Sequence, residues 1–445
     1  MKKTLLTLLF SCASFAGFSQ SWTTQVTGFT TPLRQIKAID IVDSNTVWAL
    51  AEDGTSGSTA NIQEFTKTTD GGATWTPGLI DIGNSALNIG NISAIDANTA
   101  WVSAFDATAG LGGVWKTIDG GINWVAQNTT AFTTAGSSWC DGVHFFDANN
   151  GIAFGDPVGT DFEVYTTADG GATWTAVPAA SLPNSVTNEW GYAGSFGYTA
   201  DTFWFATSRG KLYKTADKGT TWTKLNTPLT DFGAQVATTN WGSLMVSNNN
   251  NIAILGTKDT FTTFKIYHST NGGTTWDTGT AYTQNFLNMC YVPNTTTLVA
   301  TSDNATAGTG SKYSTDNGTT WEDIDAEAHG VPAFLDNSTG WSGNISQNST
   351  VGGISKFSGT LLSNSNFASK TFNVFPNPTK DIVTISTENP DEYSLELTDI
   401  TGKVLLNKTY SGVENQLSIS NLNNGVYFIS LKMGDKSQTV KIVKN

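Results

Sequence analysis

One octet, Thr68-Thr69-Asp70-Gly71-Gly72-Ala73-Thr74-Trp75, constrains the fold more than any other stretch, because close copies of it return five more times. The copies occupy residues 117–124 (TIDGGINW), 167–174 (TADGGATW), 215–222 (TADKGTTW), 269–276 (STNGGTTW) and 314–321 (STDNGTTW), and their closing tryptophans lie 45 to 54 residues apart. A period near fifty in a chain rich in β-branched and aromatic residues predicts propeller blades. Asp, Asn and Gly tolerate left-handed backbone, and an Asx side chain accepts N–H bonds across a tight turn, so each Asp-Gly-Gly core predicts a hairpin. The closing Trp offers a flat surface to wedge between neighbouring blades. Trp22 falls into the same series one period before Trp75, without a box of its own. Its natural partner is the last repeat, residues 331–357, which has early strands but lacks a box. The expectation is therefore an all-β, seven-bladed propeller over residues 21–357, closed by the N-terminal strand.

A second motif recurs inside each unit. Residues 42–48, 95–101, 146–151 and 335–341 are apolar strands broken by an Asx turn at Asp43, Asp96, Asp147 and Asp336, with looser versions at 201–204, 248–252 and 294–298. These predict the turn from the inner strand A to strand B. Strand direction alternates, so this turn and the octet share one face, which leaves the long, dissimilar loops at 53–61, 126–138, 176–189 and 225–240 on the other. Variable loops on a rigid scaffold are where binding is expected.

The octet resembles the Asp-box (BNR) repeat, with Asn271 in place of Asp in the fifth copy and Asn123 in place of Thr in the second. The resemblance implies that Asp70, Asp119, Asp169, Asp217, Asn271 and Asp316 are structural hairpin residues, remote from any active site and unavailable as metal ligands.

The N-terminus reads as a secretory signal over residues 1–20: Lys2 and Lys3, an apolar run from Leu5 to Phe10, then small residues. A rival use of this stretch is lipid attachment at Cys12. No later segment is apolar for the roughly 20 residues of a membrane span, which predicts a soluble mature protein, read as a monomer. Net charge is −14 with only 13% charged residues, which argues against nucleic acid or anionic lipid as partner. Cys140 and Cys290 fall on inner strands of different units and read as buried free thiols.

After a Ser/Asn-rich linker at 358–371, residues 372–445 alternate as a small β-sandwich, with strands expected at 382–386, 393–398, 416–419, 425–432 and 438–443. The tail resembles the type A C-terminal sorting domain of the type IX secretion system of Bacteroidota, through VFPNP (374–378), TDITGKVL (398–405), NGVYFISL (424–431) and KIVKN (441–445). The resemblance implies partnership with that secretion machinery. It also implies passage through the periplasm to the outside or the outer cell surface, with the tail removed or used as an anchor.

Asp-box propellers include sialidases, which grip a carboxylate with three arginines. This chain has only Arg34 and Arg209, which excludes that activity. Xyloglucanase-like hydrolases need two carboxylates, and the loop face offers Asp141, Asp156, Asp161, Glu163 and Glu189, with Asp141 and Glu189 the candidate catalytic acids. The photosystem II assembly-factor family shares the strand-plus-box repeat, but its basic patch has no counterpart here. Of fifteen tryptophans, Trp139, Trp190 and Trp241 remain once the repeat positions are assigned, spaced 51 apart before inner strands. Together with Asn240 they suggest a non-catalytic platform for a glycan or a surface protein. His144, His268 and His329 are scattered among units, so neither a metal nor a cofactor is expected.

Overall fold

The computed structural model describes residues 20–127, 131–232, 240–258, 263–282, 286, 288–302, 310–361, 372–387, 390–433 and 436–445. The chain forms two compact units, residues 1–362 and 363–445, with no α-helix among the described residues.

Among the described residues the larger unit holds seven antiparallel sheets, whose opening strands, in chain order, are Arg34–Ile41, Asn88–Ala94, Cys140–Phe145, Gly191–Tyr198, Asn240–Val246, Asn288–Tyr291 and Pro332–Asp336. In the first six sheets, numbered in this order, the strands follow the chain outward from the opening strand, and the first sheet also takes Ile345–Ser346 on the inner side, beside Arg34 and Gln35. The seventh recruits its outer strand from far away, since Ser21–Val26 pairs with Gly353–Ser358, setting Trp22 opposite Phe357. The opening strands touch in succession, first to second through to seventh, and the seventh touches the first.

The octets fold as local chemistry dictates. In the first copy, Thr68 Oγ1 donates to Asp70 Oδ1 (2.8 Å) and accepts from the Gly72 N–H, while the Thr74 N–H and hydroxyl donate to the two oxygens of Asp70. Glycine is required at position 72, where φ is +87°. In the fifth copy Asn271 keeps the acceptor role toward the Thr275 N–H, and its amide donates to the Thr275 hydroxyl instead of accepting from it. The A–B turns behave likewise: Asp43, Asp96, Asp147 and Asn248 each accept from the N–H groups two and three residues on. Turn and octet share a face because they bond to each other, Gly71 N–H to Asn45 O and Gly120 N–H to Asn98 O.

Sheets adhere through apolar layers between them. Trp48, Leu50 and Phe65 of the first sheet pack on Ile92, Val102 and Trp124 of the second. A clasp that sequence reading missed reinforces three of these junctions, and its first half, a lysine over a tryptophan, is present in four sheets. The lysine of the third strand lies over the second-strand tryptophan of its own sheet, as in Lys67 on Trp48, Lys116 on Trp101, Lys214 on Trp204 and Lys356 on Trp341. Lys67, Lys116 and Lys356 then donate to the octet carbonyls of Gly120, Gly170 and Gly71 in the next sheet. Burial lowers the pKa of Lys67, Lys116 and Lys214, as expected of ammonium groups taken partly out of water.

The octet hydrogen bonds hold the carboxyls of Asp70 and Asp169, through Thr74 and Thr173, and of Asp119, through Asn123, down at about 2. Such a group stabilises the fold above its unfolded pKa near 4, and that contribution is lost as pH falls through its folded pKa. Asp156 and Asp40 are shifted the other way by burial, to about 7 and about 6, so the native state gains stability relative to the unfolded chain as pH falls from 7 toward 4. Thermal unfolding of the full chain is expected to show its highest midpoint near pH ~4 and a steep fall toward pH ~2. Asp156→Asn should flatten only the upper limb. A midpoint that rises steadily from pH 4 to 7 would contradict this.

The smaller unit is a sandwich. A sheet of Phe372–Phe375, Ile382–Thr387 and Glu414–Ser418 faces one of Val404–Tyr410, Tyr393–Asp399, Gly425–Met433 and Lys436–Lys444, around Phe372, Val383, Leu395, Leu397, Ile429 and Leu431. Five of the seven strands overlap the segments expected from the sequence. Val404–Tyr410 escaped because it is an edge strand with most residues exposed, and so lacks clean alternation. Phe372–Phe375 precedes the first of those segments and pairs with Ile382–Thr387.

Candidate functional site

The opening strands surround a channel with two cavities. One, about 410 Å³, is lined by Lys37, Asn88, Gly90, Phe105, Gly194 and Phe196. The other, about 1160 Å³, opens among the A–B turns, lined by Val42, Ile95, Phe146, Asp147, Asn248, Asn249, Asn250 and Asn294. Asp40, His144 and Tyr198 line both, so they form the waist between them. The expectation placed binding on the opposite, long-loop face. The larger opening lies instead on the face of short turns, because the turns ring the channel without covering it.

The three waist residues occupy one register, each three positions before the Asx of its A–B turn. Asp40 accepts from the Ala94 N–H (2.6 Å) and from the Tyr198 hydroxyl, which reaches it from the fourth sheet. Tyr198 gets there because its strand bulges: Gly191 pairs with Thr207 but Phe196 with Phe205, and the excess residues carry Ala193 and Gly194 into the channel. Burial raises the Asp40 carboxyl to about 6 against the pull of those two donors. The nearby carboxylate, then burial, pushes the Tyr198 hydroxyl above its ordinary range. His144 stacks on Tyr198 at 3.8 Å and meets Phe146 edge-on at 4.7 Å. Its Nε2 has no partner and burial lowers its pKa to about 3, so the imidazole is neutral at physiological pH. Lys37 donates to the Ile89 carbonyl (2.5 Å), and Asp147 at the mouth is paired with Lys218 (2.7 Å).

A second group of acids lies in the third sheet. Asp141, 6% exposed, faces Asp156, and burial followed by the charge of Asp156 pushes its pKa far above the carboxylate range. Burial also raises Asp156 to about 7, although it accepts from the Gly191 N–H (2.7 Å). Glu163 accepts from the Tyr165 hydroxyl (3.0 Å), and its other oxygen, like Asp141 Oδ2, is buried without a partner. Gly191 lets the fourth sheet close over this group, since a Cβ there would collide with Asp141 Oδ2. Neither Asp141 nor Asp156 lines either cavity.

The two candidate catalytic acids are thus used differently. Asp141 belongs with Asp156, whereas Glu189 is a structural tie. Glu189 accepts from the Thr207 hydroxyl (2.6 Å), the Val186 N–H (2.8 Å) and the Tyr213 hydroxyl (3.4 Å), fixing the loop before the fourth sheet. Asp161 is exposed and accepts from Asn184. Trp139 and Trp190 are half-buried and line neither cavity. The Trp139 carbonyl accepts from the Asp156 N–H, and Trp190 exchanges bonds with Ser208. The backbones of Asn240 and Trp241 pair with Lys258 and Thr257, and their side chains lie outside the described residues. Cys140 and Cys290 are free thiols. The waist was missed although a signal existed: aligned on the A–B turns, that register reads Asp40, Ser93, His144, Tyr198 and Met245, a chemical variety absent from the structural positions around it.

Residues 373–445 match the secretion system C-terminal sorting domain, and residues 312–323 match the BNR/Asp-box repeat. No curated protein matches the chain. Among solved structures, YCF48 bound to a D1 peptide is similar at a TM-score of 0.50 and 14% identity, over 78% of this chain and 99% of that one. YCF48 from Cyanidioschyzon merolae is similar at 0.50 and 15%, over 76% and 99%. The GH74 xyloglucanase from Xanthomonas campestris gives 0.48 and 13%, over 84% and 60%. At such identities the likeness to YCF48 speaks for the fold alone. No helix among the described residues is long and apolar enough to cross a membrane. The chain therefore carries a BNR/Asp-box repeat and a type IX secretion C-terminal sorting domain, its larger unit has a β-propeller fold, and the sorting domain marks it for secretion or the cell surface.

Proposed function

We propose that this protein is an exported, non-catalytic binding module whose seven sheets are the blades of a ring closed by Ser21–Val26, and whose ligand enters the central channel from the A–B turn face. Residues 1–20 serve in this reading as the signal for the first membrane. The observation that carries the binding role is the open cavity of about 1160 Å³, rimmed by asparagines and floored by a single carboxylate, Asp40. Glycoside hydrolysis needs two carboxyl groups flanking a bond in a cleft, and this cavity's other acid, Asp147, is held by Lys218. The peptide held by YCF48 is a precedent for a ligand on this fold.

A second reading, a glycoside hydrolase, is favoured by the adjacent buried pair Asp141 and Asp156, whose raised pKa values suit an acid and base. Its weakness is that Gly191 and the fourth sheet cover the pair.

Ala148, exposed at the channel rim, separates these readings. Ala148→Trp is expected to lower retention of the secreted protein's ligand by about tenfold, because a bulky side chain narrows the mouth. Screening would use immobilised glycans and peptides, with release of reducing ends followed in parallel. Turnover lost in Asp141→Asn would establish the hydrolase. Retention lost in Trp190→Ala but not in Ala148→Trp would move the site to the loop-face platform of Trp139 and Trp190.

A further inference from the structure

The waist holds a negative charge that the protein leaves without a counter-ion. Asp40 takes two hydrogen bonds, from the Ala94 N–H and the Tyr198 hydroxyl, and no ion pair to it exists among the described residues. A carboxylate offers about four acceptor sites, so capacity remains. The cations near it are committed elsewhere. Lys37, on the same strand, donates to the Ile89 carbonyl, and Lys218 at the mouth is bound to Asp147. His144, from the third sheet, is neutral, and Tyr198, from the fourth, is a donor to Asp40. A partly buried, unpaired carboxylate is costly, and a ligand that supplies the missing charge recovers that cost.

The walls fit such a ligand. Tyr198, 43% exposed, opens its ring to the channel beside Asp40, with His144 stacked on it and Phe146 beyond. Aromatic faces next to a carboxylate attract an ammonium group both electrostatically and through the ring quadrupole. Above the waist the rim is made of amides, Asn248, Asn249, Asn250 and Asn294, which suit the N–H and C=O groups of a polypeptide. Among the described residues no lysine or arginine lines this cavity, and Lys37, which lines the adjoining one, is bound to the Ile89 carbonyl, which disfavours carboxylate or phosphate ligands. The cavity narrows from the mouth to three side chains, so what reaches the bottom must be slender, as a lysine stem or a chain end is.

We infer that the channel captures the primary ammonium group of an extended polypeptide, either a lysine side chain or a free N-terminus, with Asp40 as counter-ion, Tyr198 as aromatic wall and the asparagine rim holding the flanking backbone. This rests on the channel reading above and names its ligand chemistry.

The test is calorimetric titration of the full secreted protein with four probes: acetyl-Gly-Gly-Lys-Gly-Gly-amide, the same peptide with Gln for Lys, unacetylated pentaglycine amide, and a glucosamine oligosaccharide. At least one of the two ammonium peptides should bind about tenfold or more tightly than the Gln peptide at neutral pH, and which of them does so identifies the source of the amine. The advantage should shrink about tenfold between pH ~7.5 and pH ~5, as Asp40 gains its proton. Asp40→Asn should abolish it, and Tyr198→Leu should weaken it severalfold whether or not the Asn variant folds. Equal binding of the Lys, Gln and free-amine peptides overturns the inference, as does an advantage that survives Asp40→Asn or a glucosamine oligomer that outbinds every peptide. In those cases Ala148→Trp tells the two failures apart. If it blocks whatever binds, the channel stands and only the ammonium assignment falls; if it has no effect, both fall.

Discussion

A chain lacking Ser21–Val26 is expected to lose cooperative unfolding and to aggregate at concentrations where the intact chain stays monodisperse. That strand is the outer edge of the seventh sheet, and it also joins that sheet to both neighbours. Its residues pair along Gly353–Ser358. Trp22 Nε1 donates to Ser311 Oγ of the sixth sheet (2.8 Å), and its ring packs on His329, Phe334 and Phe357. On the other side Gln25 accepts from Trp75 Nε1 of the first sheet (2.9 Å). With a net gain of roughly 0.5–1.5 kcal/mol per hydrogen bond and about 2–4 kcal/mol for truncating a large packed aromatic, the strand contributes about 5 kcal/mol or more. That is a large part of the roughly 5–15 kcal/mol that holds an ordinary domain together. Deletion would also bare the edge of Gly353–Ser358, a template for pairing with another chain. Trp22→Ala alone should lower stability by about 2–4 kcal/mol. Denaturant unfolding followed by tryptophan fluorescence, with light scattering for aggregation, measures both effects. An unchanged midpoint in the deletion variant would refute the bridging role.

Trp204→Ala is expected to cost about 3–5 kcal/mol, the range for removing a fully buried aromatic side chain. Trp204 has no exposed surface and lies in a layer with Leu212 of its own sheet and Ile252 and Ile254 of the next. Its Nε1 donates to the Gly272 carbonyl of the fifth-sheet octet (3.0 Å), and the Lys214 ammonium sits 5.2 Å above its ring. Truncation therefore opens a void between two sheets, strips a hydrogen bond from a buried carbonyl and leaves a cation without its aromatic cover. Trp204→Phe keeps most of the packing and should cost about 1–3 kcal/mol, chiefly for the orphaned carbonyl. Equilibrium denaturation distinguishes the two variants. If the Phe variant were as damaged as the Ala variant, shape would outweigh the hydrogen bond and the clasp would be mainly packing.

The octets were legible because each closes on itself. Every bond that Asp70 accepts comes from a residue within four positions, so the local pattern Thr-x-Asp-x-Gly-x-Thr suffices to specify it. The A–B turns were legible for the same reason. Periodicity made residues 331–357 the expected partner of Trp22, since a repeat without an octet calls for one from elsewhere, and Ser21–Val26 pairs with Gly353–Ser358. The candidate site was less legible. Trp139 and Trp190 stood out by composition, yet their backbone groups tie down loops and neither ring lines the channel. Glu189 was visible as a loop-face acid, but three donors that no local rule reveals make it a structural acceptor.

The repeat, its hairpins and the sorting tail can be read from the residues alone, because they depend on hydrogen bonds and side-chain alternation among residues close in the chain. That Asp40, His144 and Tyr198 meet, that Asp141 and Asp156 share a buried site, and that lysines clasp the carbonyls of the next sheet emerges only once the sheets are packed together. These contacts join residues from about fifteen to nearly three hundred positions apart, and which of them face one another follows from how strands pair and whole sheets pack.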